Sequence, residues 1–214
     1  MFPSGAYAHS LGLEGAVEEG LVANCGDYAE YVEKFVIPQM VHVEMPYAGF
    51  AYDAAVADDL EAFCRLDCEY GAMKATRELR EASRNIGSQR LMLIEELWGD
   101  SFVAELSQAK SDGRLAGHET LVLGGQAART GLGRSDALAS VYYLGLALLT
   151  NAVVKLIKIG QRRCQQILSQ NLSRVDELVE QASRVAASEV GWFVPFLEIA
   201  SARHETAYSR LFIS

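Results

Sequence analysis

Proline is scarce in this chain. Pro3, Pro38, Pro46 and Pro195 are the whole set in 214 residues, and no stretch alternates Val, Ile, Thr and aromatics with period two between hairpin turns, which leaves little room for sheet. Cysteine is equally sparse: Cys25, Cys64, Cys68 and Cys164 are scattered, and no secretory leader opens the sequence. That excludes a disulfide framework and points to the reducing cytoplasm. Positive charge is also short, with 19 Lys and Arg against 28 Asp and Glu, a formal charge of -9. Such a field repels phosphate backbones and anionic lipid, so nucleic acid is excluded as a partner. Long apolar runs are missing save one, residues 137–154, which holds no charge and lies between Arg134 and Lys155. Ser140, Thr150 and Asn151 interrupt it, and it reads as the central helix of a bundle rather than a membrane span.

What is present is helical periodicity. Tyr28, Tyr31, Val32 and Phe35 recur at spacings of three and four, as do Leu60, Phe63, Cys64 and Leu66. Asp27, Pro46, the pair Asp58 and Asp59, and the pair Ser135 and Asp136 suit helix starts. Glycines at 26, 71, 99, 113, 117, 124, 125, 131, 133, 160 and 191 suit helix ends. Pro38 removes a backbone donor inside the 28–43 pattern and predicts a kink or break near Ile37. The expected fold is all-α: one compact domain over residues 1–214, a bundle of about nine or ten helices around a hydrophobic central helix.

Chemistry-bearing motifs are few. The glycine-rich stretch 124–133 (GGQAARTGLG) has no Lys and no preceding strand, so it reads as a flexible turn pair and not as a phosphate cradle. Cys64 and Cys68 are four apart with no nearby His, which suits two small buried hydrophobes rather than a zinc site. His9, His42, His118 and His204 are far apart in sequence. No catalytic residue, cofactor or resident metal is assigned, and nothing in these motifs demands an enzyme.

Three segments stand apart on physical grounds. The opening FPSGAYAHSLGLE bends at Pro3 and Gly5, then passes a polar His9 and Ser10 pair into a helix carrying Glu14. Residues 75–87 (ATRELREASRNIG) put Leu79, Ala82 and Ile86 on one stripe, with Arg77, Glu78, Arg80, Glu81 and Arg84 facing away and Ser83 beside the stripe. The tail IASARHETAYSRLFIS crowds Arg203, His204, Glu205, Tyr208 and Arg210 before an apolar Leu211 and Phe212. Arg and aromatic residues together are common anchors of interfaces, and a chain end is ordinarily polar.

These segments resemble the signatures of the urease accessory protein F (UreF) family: P-x-G-(A/G)-(F/Y)-x-x-S-x-G-L-E at the start, T-R-E-L-R-x-x-S-x-x-x-G in the middle and R-H-E-T-x-Y-S-R-L-F at the end. IGQRRCQ at 159–165, with Gly160 as a C-cap and Gln161 after it, is similar to the family's L-G-Q turn. Ile213 departs from the pattern, standing where a polar residue is frequent.

The resemblance implies a helical homodimer that binds the accessory protein UreD, also called UreH, and then the GTPase UreG, in a complex that delivers nickel to apo-urease. It implies that the tail meets UreD/UreH through Tyr208, Leu211 and Phe212. The helix from Arg77 to Arg84, the His9 turn and Gln161 would meet the GTPase. A direct nickel carrier is the alternative reading.

Overall fold

The computed structural model describes residues 10, 12–195, 199, 211 and 212. Nine α-helices and no strand occur among them: α1 (Leu13–Glu18), α2 (25–56), α3 (Leu60–Met73), α4 (Arg77–Trp98), α5 (Ser101–Ser111), α6 (Glu119–Arg129), α7 (Arg134–Leu156), α8 (Gln161–Leu172) and α9 (Val175–Ser183). A 3-10 turn, Ala187–Glu189, comes after α9.

The second helix does not break at Pro38. It runs on through two π turns, Val32–Val36 and Met40–Glu44, each closing just ahead of a proline. A π turn adds one residue to a helical turn and loosens the ladder where proline lacks a donor and crowds the turn before it. Pro46 leaves the carbonyl four residues back, that of His42, without its helical donor. Gly191 N–H supplies one at 3.2 Å, and Trp192 stacks on the His42 ring at 5.3 Å. The start is set by Asn24, whose Oδ1 accepts Gly26 and Asp27 N–H, while Asp27 Oδ2 accepts Asn24 N–H in return. Asp27 is thus the third residue of a capping box, not the cap, and Gly26 lies in the first turn.

Two cores share this helix. Its first half joins α1, α7, α8 and α9 around Tyr28, Met40, Tyr142, Leu146 and Leu178. Its second half joins α3, α4, α5 and α6 around Ala51, Phe63, Leu91, Phe102 and Leu121. The apolar α7, long enough to cross a membrane and with 50% of its most apolar window buried, packs against α1, α2, α6, α8 and α9.

Several glycines do a different job from the expected one. Gly124 and Gly125 sit inside α6, where α2 crosses it. A Cβ on Gly124 would stand 2.2 Å from Ala48 O, and one on Gly125 would stand 2.9 Å from the Phe63 ring. Gly124 is where α6 meets α2 and Gly125 where it meets the Phe63 ring of α3, so neither belongs to a flexible turn. Gly71 likewise lies within α3, against His118. Gly99, with φ 61, does end α4 as expected. Gly160 is an N-cap, opening α8 rather than closing the helix before it.

Candidate partner-binding surfaces

The two ends of the described chain meet. Ser10 Oγ accepts Glu14 N–H at 3.2 Å in the first turn of α1, and the Glu14 carboxylate accepts the N–H groups of Leu211 and Phe212 at 2.7 and 2.9 Å. Phe212, 5% exposed, fills the first core, and Lys155 Nζ stands 5.3 Å from its ring centroid. Leu211 is 68% exposed. Phe212 is therefore not the outward anchor expected from the tail pattern: its apolar ring gains more from its own core, and Leu211 is the residue presented. Ser10 and Glu14 are both buried. Pro3, Gly5, His9, Arg203, His204, Glu205, Tyr208 and Arg210 lie outside the described residues.

The Arg-bearing helix α4 presents a divided face. Arg77 and Arg84 are exposed, with Arg77 Nε 4.0 Å from Glu81, and Glu78 is half-buried. Arg80 turns back, its Nη1 donating to Lys74 O and, at 2.9 Å, to Ala75 O. It closes the loop before the helix rather than standing outward. Ser83 points inward and shares a hydrogen bond of 3.1 Å with His118 Nδ1. Gln161 is exposed in the first turn of α8, far from any buried backbone role.

Beneath α4 lies a polar layer that periodicity did not single out. Asp67 accepts the N–H groups of Ala116, Gly117 and His118 at 2.6, 3.1 and 2.8 Å, folding the α5–α6 connection over α3. Burial pushes the His118 imidazole down to about 4, with Asp67 pulling the other way. Glu44, last residue of the second π turn, accepts from Tyr70, from Thr120 at 3.0 Å and from Lys74 at 3.3 Å. Burial works against its charge, yet Lys74, Tyr70 and Thr120 outweigh that and hold its carboxyl below the usual range. Arg90 Nη2 lies 3.5 Å from Glu119, whose carboxyl burial pushes up against that guanidinium. One signal was available: Asp67 is four past Phe63 and three before Tyr70, on the buried stripe of α3.

Cys68 is exposed and Cys64 half-buried, so the expectation of two buried sulfurs fails for Cys68. Among the described residues no group of three or more His, Cys, Asp or Glu side chains gathers to hold a metal ion.

A family model described as UreF matches residues 22–172. The chain belongs to the UreF family. It is 32% identical over 212 residues to Urease accessory protein UreF of Arthrobacter sp. (strain FB24), covering 99% of this chain and 92% of that protein. It is 29% identical over 213 residues to the protein of the same name from Streptococcus salivarius (strain 57.I), covering 100% and 90%. A third, from Actinobacillus pleuropneumoniae serotype 5b (strain L20), is 30% identical, covering 99% and 93%. The UreF model match stops at residue 172, ahead of the tail, whereas the Streptococcus salivarius alignment covers 100% of this chain.

Proposed function

We propose that this chain is a cytoplasmic, non-catalytic adaptor of urease maturation. As a homodimer it binds UreD/UreH, recruits the GTPase UreG and supports nickel insertion into apo-urease. The observation that carries the reading is the junction of Glu14 with Leu211 and Phe212. It joins the two terminal segments that resemble UreF signatures and, among the described residues there, leaves the Leu211 side chain exposed. Committing one buried carboxylate to two backbone N–H groups makes sense where the tail must be held in a fixed shape before a partner arrives. Arg77 and Arg84 supply exposed guanidinium groups on a rigid helix, suited to orienting the acidic surface of a second partner.

Co-purification of the tagged full chain with UreD/UreH, UreG and apo-urease tests this. Leu211→Asp is expected to lose UreD/UreH, and Arg77→Ala with Arg84→Ala to lose the GTPase while retaining UreD/UreH. Undiminished capture by both variants overturns the assignment of surfaces. Stoichiometric nickel binding by the isolated chain would favour a carrier instead.

A further inference from the structure

Cys64 and Cys68 lie one turn apart on α3, an unbroken helix from Leu60 to Met73. Phe63, Asp67 and Tyr70 make its inner face, so the two cysteines share an outer flank with Glu61 and Arg65. Cys68 is exposed, and Cys64 is half-buried, packed in part against the second core. Residues four apart on a helix hold their Cβ atoms about 5–6 Å from each other. Helical side chains lean toward the N-terminus, which carries the Cys68 sulfur back over the turn that bears Cys64. A disulfide requires Cβ atoms about 3.5–4.5 Å apart, closer than an unbent turn allows, so the helix keeps the pair as a dithiol. The Arg114 guanidinium reaches the same flank from the α5–α6 connection, its Nη1 donating to Glu61 Oε1 at 3.3 Å. Neither thiol belongs to the surfaces described above.

We propose that Cys64 and Cys68 form a binding site for a soft, thiophilic monovalent metal ion, copper(I), held in line between their two thiolates. A metal–thiolate bond is about 2.3 Å long, and two of them end to end match the gap that sulfurs on adjacent turns bridge by rotation about χ1. Thiolate sulfur selects soft ions, and copper(I) is satisfied by two donors. Structural zinc and planar nickel(II) call for four, and among the described residues no group of three or more His, Cys, Asp or Glu side chains gathers here. Binding exchanges two S–H bonds for two Cu–S bonds and releases two protons; the copper stays monovalent and no electron moves. The bound unit carries one negative charge, and the Arg65 and Arg114 guanidinium groups on that flank complement it. Burial pushes the Cys64 thiol up while Arg114 pulls the other way, so the ion is held more tightly as pH rises.

The reduced full chain is titrated under nitrogen with copper(I) supplied as its bicinchoninate complex, and the loss of colour counts the ions withdrawn. One ion per chain is expected, with Cys64 and Cys68 then protected from iodoacetamide when peptides are mapped by mass. Cys64→Ser and Cys68→Ser should each abolish the withdrawal with helical circular dichroism unchanged, while Cys25→Ser and Cys164→Ser leave it intact. Nickel(II) or zinc(II) alone should protect neither thiol. The site is refuted if no ion is withdrawn, if half an ion per chain is withdrawn because one ion bridges two chains, or if either single variant withdraws as much as the parent. Protection of the pair by nickel(II) would overturn the assignment to a soft two-coordinate ion.

Discussion

The Glu14 carboxylate accepts the backbone N–H of Phe212 at 2.9 Å across 198 positions of sequence. A buried charged acceptor serving two donors is expensive to remove, because both N–H groups are then left without it. Glu14→Ala is expected to cost about 1–3 kcal/mol of stability and to expose the tail to proteases. Urea unfolding together with limited proteolysis checks this; a variant unchanged in both would mean that the Glu14 carboxylate does not hold the tail.

Helix contact at α2 and α6 admits no side chain at Gly124. Gly124→Ala drives a methyl against the Ala48 carbonyl, which is backbone and cannot swing aside. A loss of about 1–3 kcal/mol or more is expected. Gly160→Ala, where a Cβ meets open space, should stay within about 0.5 kcal/mol. Thermal midpoints of the two variants, measured side by side, separate close packing from a general intolerance of alanine.

His118 makes stability depend on pH. In the folded chain it titrates at about 4, down from 6.5. Between those values the unfolded chain binds the extra proton, so stability is full above the window and declines as pH falls through it, by up to about 1.4 kcal/mol per unit. Glu44, held below its usual range, adds a further loss at lower pH as its folded value is passed. Urea midpoints from about pH 4.5 to 7.5 should fall less steeply toward acid for His118→Gln. Parallel curves for the two proteins would mean that His118 does not set the acid limb.

Arg80 acts on its own loop. Arg80→Ala frees the carbonyls of Lys74 and Ala75 and should cost about 1 kcal/mol, with faster amide exchange at residues 74–77. Arg77→Ala should leave exchange there unchanged, since its carboxylate neighbour Glu81 is on the same exposed helix face.

Much of this fold was legible because its rules are local. The 3.6 periodicity of Tyr28 and Tyr31, the Asp59 cap accepting Ala62 N–H at 2.8 Å and the αL glycine at 99 are all set within one turn of chain. The features that escaped depended on distant chain. Gly71 and Gly124 look like helix ends until His118 and Ala48 arrive opposite them. Pro38 looks like a break until a π turn relieves it. At the candidate surface, the pattern marked Arg80, Ser83 and Phe212 by residue type, but type does not reveal that Lys74 O, His118 and the first core would claim them.

The paired π turns of α2 have a consequence for register. Each inserted residue rotates the downstream part of the helix by about 100°, and past both turns the rod still serves two cores, Met45 and Ala48 the first and Ala51 and Ala55 the second. Excising a single residue between 40 and 44 would rewind that turn and swing Ala48 and Gly49 off their neighbours in α6 and α7. The helix behaves as a crankshaft whose throw is set by two extra residues.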